Sequence, residues 1–170
     1  MAPQANAPVP LLETRGLTKR FGALMANDRI DLAVYGGEVH AILGENGAGK
    51  STLMKSLYDF HQPTSGEILI DGRPTTIATP EAGRRLGIGM VFQNFTLVPA
   101  MTVLENVALF WPELGRVIPQ QKLEEQILAT AKRYGLTVNP HALVADLAMG
   151  ERQRVEILKI LLAGARVLIF

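Results

Sequence analysis

The stretch from Gly44 to Thr52 reads GENGAGKST and fits the spacing G-x-x-x-x-G-K-[ST]. That spacing suits a phosphate group. Backbone N–H groups must converge on the phosphate oxygens, and side chains obstruct the approach, so Gly44, Gly47 and Gly49 clear it. Lys50 adds a point charge at the β- and γ-phosphates, and the Ser51 hydroxyl suits Mg²⁺. The candidate nucleotide-binding segment is therefore Gly44, Glu45, Asn46, Gly47, Ala48, Gly49, Lys50, Ser51 and Thr52. A helix opening behind the loop would contribute its partial positive charge. A glycine-rich turn that merely caps a helix is the plainer alternative for the same residues.

Such a loop needs a strand in front of it and a helix behind it, and the flanking sequence offers both. EVHAILG from Glu38 reads as a strand, and KSTLMKSLYDF from Lys50 as a helix with Leu53 and Leu57 on one face. Further strands are expected at Leu11–Thr14, at Ile30, Leu32 and Val34 before Gly36-Gly37, and at EILI between turn residues. IGMVF from Ile88 is another. Thr102–Glu105 has the pattern of a capping box opening a helix through Leu109. Pro119 suits the first turn of the next helix, with Leu123, Ile127, Ala131 and Tyr134 on one face. A third helix after Gly150 turns Val155, Leu158 and Leu162 inward, and GARVLIF at the end starts a fully buried strand. Strands alternate with helices, a helix-rich segment intervenes, and a strand returns, so the expected class is α/β with a helical insert. No internal repeat is visible.

Bulk composition narrows the function. Hydrophobic residues make up 48% and charged residues 19%, a globular balance. Seventeen basic against 16 acidic residues give a net charge of +1, which supplies no electrostatic footprint for nucleic acid. The absence of cysteine excludes disulfides, thiolate zinc sites and cysteine nucleophiles. His40, His61 and His141 are scattered, without metal-ligand spacing. Trp111, between Phe110 and Pro112, suits packing in the helical insert. No stretch reaches the ~18 apolar residues of a membrane span. The Pro- and Ala-rich start, MAPQANAPVP, lacks the basic and apolar regions of a signal peptide and reads as a loose tail. A cytoplasmic location is expected.

Two further stretches, VFQNF with Gln93 and LAMGERQRVEILKILLAGARVLIF, follow the phosphate loop in order. Together the three resemble the ATP-binding subunit of ABC transporters, from about Leu11 to Phe170. By that resemblance Gln93 is the Q-loop glutamine, a ligand of Mg²⁺ or of water and a sensor of the membrane partner. Leu147, Ala148, Met149, Gly150 and Glu151 stand for the signature motif, usually written LSGGQ. Val167 to Phe170 stand for the apolar half of Walker B. Phe21 occupies the place of the aromatic that stacks on adenine, with core packing as its alternative. FGALMANDRIDLAVYGGEVHAILGENGAGKSTLMKSLY, PTSGEILIDG and GIGMVFQNFTLVPAMTVLENV are most similar to importers of simple sugars and nucleosides, whose ATPase usually has two nucleotide-binding halves. This chain is similar to most of the first half.

The resemblance implies a P-loop NTPase (RecA-like) core with an antiparallel β subdomain and a helical insert, cut at the Walker B strand. It implies a flexible tail over 1–10, a nucleotide-binding core with the β subdomain over 11–93, and a helical subdomain over 94–149. Residues 150–170 would hold the signature helix and the start of the Walker B strand. It implies ATP and Mg²⁺ as cofactors, with Lys50 and Gln93 in catalysis and Ser51 and Gln93 at the metal. The implied partners are permease transmembrane subunits, a second nucleotide-binding half or protomer and, indirectly, a periplasmic or lipoprotein solute-binding protein. The implied location is peripheral, on the cytoplasmic face of the inner or plasma membrane. A soluble ATPase of the same type in translation or DNA repair, and a non-catalytic nucleotide-binding remnant, are the alternatives. Family members continue after the Walker B strand into Asp-Glu, which this sequence does not reach, so residues 1–170 are expected to turn over ATP negligibly. Ala148 also departs from the pattern, standing where the family has a serine.

Overall fold

A strand pair, β1 (Leu12–Phe21) and β2 (Leu24–Val34), turns tightly around Gly22-Ala23. Alternation along β1 buries Leu12 and Thr14, then resumes one residue out of phase at Leu17. The register slips between Thr14 and Leu17, where the Gly16 N–H donates to Asp31 Oδ1 at 2.6 Å. A bulge of this kind adds one residue to one strand and flips the facing pattern. β3 (Ser65–Ile70) pairs antiparallel with the other side of β1, and β4 (Arg73–Thr75) pairs with β3 around Asp71-Gly72. The sheet order is β2-β1-β3-β4. Gly66 fixes where β3 meets β1, because a Cβ there would lie 2.3 Å from the Gly16 carbonyl oxygen.

This computed structural model describes residues 8–58, 61–92, 94–110 and 119–170, and divides the chain into two compact units, Met1–Ile88 and Gly89–Phe170. The first also carries α1 (Lys50–Tyr58), which buries Leu53 and Leu57 on the expected face, and α2 (Pro80–Arg85). α2 was not expected from the periodicity, although Thr79 at its N-cap and Pro80 in its first turn are start signals. In the second unit, β5 (Ile88–Met90) pairs with β6 (Val167–Ile169). Between them run α3 (Val103–Phe110), α4 (Gln120–Arg133), a 3-10 turn (Val144–Asp146) and α5 (Met149–Leu162). No helix among the described residues is long and apolar enough to cross a membrane.

The three helices converge on Val103, Val107, Leu123, Ile127, Val155 and Leu158, each nearly solvent-free. Burying one such side chain is worth about 1.5–3 kcal/mol. An exposed pair such as His141–Glu124, at 2.9 Å, contributes about 0–1 kcal/mol, so packing decides this arrangement.

Three expectations change. Glu38–Gly44 is not a strand: the segment runs without a ladder partner among the described residues, and Val39 and Leu43 are 99% and 91% exposed. A run of apolar residues becomes a strand only where neighbours take up its N–H and C=O groups. Tyr134 closes α4 and is half exposed, because the helical phase ends with Ala131 on the buried face. The terminal strand is buried only at Ile169, with Phe170 72% exposed, since among the described residues β5 is its one strand partner. Trp111 lies outside the described residues.

The Thr102–Glu105 box forms as expected. Glu105 accepts from the Thr102 N–H at 2.7 Å and the Thr102 hydroxyl at 2.9 Å, while the Glu105 N–H donates to Thr102 Oγ1 at 3.2 Å. The Thr102 N–H, then its hydroxyl, hold the Glu105 carboxyl below its ordinary value. A carboxylate lowered in the folded state stabilises above its unfolded pKa and stops doing so as pH falls through the folded one. Glu105→Ala should therefore widen the gap in melting temperature from the parent at neutral pH, and the gap should close under acid. Thermal melts across pH 3 to 7, spanning the ordinary carboxylate range, check this.

Candidate functional site

The glycine-rich loop is held from behind by β2. A Cβ on Gly49 would lie 2.1 Å from the Ala26 carbonyl oxygen, and φ at Gly49 is +84°, so glycine is required twice over. Asn27, buried in β2, donates its side-chain amide to the Gly49 carbonyl at 3.2 Å. The first helical bond of α1 runs from the Leu53 N–H to Gly49 O at 2.9 Å. The N–H groups of Lys50, Ser51 and Thr52 thus precede the ladder and face outward from the helix start. The Ser51 side of this turn is exposed.

Lys50 curls over the loop. Its Nζ donates to the Gly44 carbonyl at 2.7 Å and to the Glu45 carbonyl at 2.8 Å. An ammonium has three donors, so this geometry fixes the charge above the loop and leaves donor capacity for an anion. Ala48 N–H closes a turn onto Glu45 O at 3.2 Å. The cup would be partly filled by a side chain at Gly44, whose Cβ would sit 3.4 Å from Ala48 Cβ and 3.8 Å from Lys50 Cδ. Glu45, Asn46 and Gly47 are exposed on its rim. A cup of free N–H groups, a helix start and one cation suits a phosphate chain, which is the chemistry expected of residues 44–52.

Phe21 is not in the core. It is 41% exposed at the tip of the β1–β2 hairpin. Lys19 Nζ lies 5.0 Å over its ring centroid and donates to the Gln62 carbonyl at 2.7 Å. His61 meets the ring edge-on at 5.0 Å. The exposed ring surface is therefore available to a flat partner.

In the second unit, the segment Leu147–Glu151 leads into α5. Leu147 packs against the helical core, whereas Met149 is 76% exposed at the first position of the helix. The Ala148 N–H donates to Glu151 Oε2 at 2.9 Å. This is half of a capping box, because alanine has no hydroxyl for the reciprocal bond. Arg152, which sequence reasoning passed over, reaches back to the Leu147 carbonyl at 3.0 Å and the Ala145 carbonyl at 2.9 Å. Gln93 lies outside the described residues.

Two substitutions follow from this geometry. Gly49→Ala should destabilise the fold by more than Gly47→Ala, although both glycines have φ near +85°. The left-handed conformation costs an alanine about 1–2 kcal/mol at either site. Only position 49 adds a clash with backbone, since the space at 47 is open. Ala148→Ser should complete the cap of α5 and stabilise by about 0.5–2 kcal/mol. Denaturant midpoints for the three variants check both statements.

The chain was compared with known proteins. The family described as ABC transporter matches residues 27–170. A ribose import ATP-binding protein of Rubrobacter xylanophilus is 49% identical over 94% of this chain and 32% of its own length. A nucleoside import ATP-binding protein of Lactococcus lactis is 48% identical over 91% of this chain and 31% of its own. The chain thus spans about a third of the length of the curated relatives it matches. Among solved structures, a component of an ABC transporter complex from Clostridium perfringens superposes with a TM-score of 0.79 at 28% identity, covering 95% of this chain and 64% of that one. A glycine-rich loop built on a hairpin and a helix start, within an α/β fold shared with such a component, agrees with a family match over most of the sequence: the chain belongs to the ABC transporter family.

Proposed function

We propose that this chain is the nucleotide-binding part of the ATP-binding subunit of an importer for a simple sugar or nucleoside, coupling ATP binding and hydrolysis to uptake. The observation that carries the reading is the loop Gly44–Thr52, with Lys50 Nζ held over the Gly44 and Glu45 carbonyls at the start of α1. The solute class rests on the sugar and nucleoside named for the relatives.

On this reading the loop N–H groups and Lys50 hold the β- and γ-phosphates. The Ser51 hydroxyl and Gln93 hold Mg²⁺, which neutralises phosphate charge. Phe21 stacks on the adenine, with Lys19 over the ring and His61 at its edge fixing its orientation. Base stacking on an aromatic is worth roughly 1–3 kcal/mol in single-strand nucleic-acid sites. The segment Leu147–Glu151 faces the nucleotide of a second half or protomer, and permease subunits receive the motion at the cytoplasmic face of the membrane. A positioned general base contributes about 10²–10⁴ in rate, and no residue of 1–170 is assigned that role here, so on this reading the chain as given binds ATP without appreciable turnover.

Lys50→Ala should remove most ATP affinity while leaving the melting temperature near that of the parent, because the side chain touches loop carbonyls and not the core. Titration with a fluorescent ATP analogue checks this, and equal affinity for the two proteins would sink the assignment.

A further inference from the structure

β2 carries a bulge close to where it passes behind the glycine-rich loop. Lys19 pairs with Asn27 and Leu17 with Ile30, so Asp28 and Arg29 of β2 together oppose the single Thr18 of β1. Arg29 takes up the extra length in the left-handed region, at φ +46°, and its N–H donates to Thr18 Oγ1 at 3.0 Å. That region is costly for a residue with a long side chain. A bulge of this kind re-aims the side chains beside it. Here the neighbour is Asn27, whose Nδ2 donates to the Gly49 carbonyl at 3.2 Å.

Stability alone is a poor reason for an asparagine at this place. Asn27 is 7% exposed, and among the described residues its Oδ1 has no partner. An unpaired buried acceptor carries a cost that a leucine of similar shape would not. Strain and an orphaned polar atom kept side by side point to a use. The use lies in what the amide grips. The Gly49 carbonyl takes two bonds, from Asn27 and from the Leu53 N–H at 2.9 Å. The other end of the same planar peptide is the Lys50 N–H, which stands at the start of α1 ahead of the helical ladder. A bond accepted by a peptide oxygen draws charge toward that oxygen and makes the N–H across the peptide a stronger donor. It also holds the peptide plane, and with it the direction of that N–H.

We propose that Asn27 is a positioning residue for the anion site: from behind the loop it holds and polarises the Gly49–Lys50 peptide, so that the Lys50 N–H is aimed at a phosphate oxygen of a nucleoside triphosphate. This rests on the reading of Gly44–Thr52 as a phosphate site. Asn27 acts through the Gly49–Lys50 peptide and not on the phosphate itself. The bulge at Asp28–Arg29 keeps its amide turned toward Gly49. Lys50 thereby serves the anion twice, through its ammonium in front and through its own main-chain N–H, which Asn27 sharpens.

The test displaces a fluorescent ATP analogue with ATP, inorganic triphosphate or adenosine, in the parent, Asn27→Leu, Asn27→Ala and Lys50→Ala. Cooperative strengthening of about 10–30% in a bond to a charged group corresponds to about two- to fourfold in affinity. Asn27→Leu should therefore weaken ATP and inorganic triphosphate by the same two- to fourfold and leave adenosine unchanged, while melting at or above the parent temperature. Amide NMR of the free proteins should show the Lys50 amide proton moved upfield in both Asn27 variants. In the parent, where no substitution disturbs folding, inorganic triphosphate should shift the Lys50 amide and the Asn27 side-chain NH₂ together. An Asn27 NH₂ that stays still while the Lys50 amide moves would overturn the inference. So would an adenosine loss as large as the triphosphate loss, or a Lys50 amide proton unmoved by Asn27→Leu. A parent whose ATP binding collapses in Lys50→Ala but is undiminished in both Asn27 variants overturns this inference and leaves the proposed function standing. A parent that binds neither ATP nor triphosphate overturns both.

Discussion

The first unit is organised around one close approach, the backbone of Gly49 against that of Ala26. No side chain fits between them, so the glycine-rich loop is applied directly to a strand of the antiparallel sheet. Asn27 reinforces the contact with a hydrogen bond to the same carbonyl that receives the first helical bond of α1. Sheet, loop and helix are thereby joined at a single peptide group. The twist and bulges of the β1–β2 pair then decide where the helix start points, and the loop inherits its direction from the hairpin. Lys50 draws the Gly44 and Glu45 carbonyls together and keeps the cup from splaying.

The second unit solves a different problem. The segments leading into α3 and α5 are irregular, and apolar packing by itself gives no register to them. Buried polar side chains supply it. Asn106 satisfies backbone groups at Val98, Met101 and Thr102 from within α3, and Arg152 does the same for Leu147 and Ala145 from α5. The Val98, Met101 and Thr102 carbonyls also accept backbone N–H groups, so Asn106 adds a second bond to each and supplies the Val98 N–H with its acceptor. Loops held in this way behave as parts of the helices that grip them.

How much of this the sequence disclosed follows from the range of each interaction. The glycine-rich loop before α1 was legible because its spacing restricts residue types, and Gly49 indeed stands where a positive φ and a close approach to Ala26 require glycine. Helices α1, α3, α4 and α5 were legible from their apolar period and from caps such as Thr102–Glu105, all within a few residues of each other. β1 and β2 ran longer than the alternation suggested, since the bulge near Gly16 breaks the period. Glu38–Gly44 read as a strand because its composition fits one, yet strand formation is decided by neighbours that the local sequence does not contain. Glu156 and Lys159 gave no signal at all. Charged residues three apart on a helix read as a solvated face, and the partner that buries them, Thr96, is 60 residues away from Glu156.

The bare segment before the glycine-rich loop bears on how the protein behaves in solution. Val39-His40-Ala41-Ile42-Leu43 carries no formal charge with His40 neutral, contains no proline, and presents Val39 and Leu43 almost wholly to water. Leaving two such side chains uncovered forgoes about 1.5–3 kcal/mol each. A short, uncharged, β-prone stretch with unpaired backbone groups is the kind that templates cross-chain pairing. At high concentration these five residues therefore offer a second chain one place at which to pair.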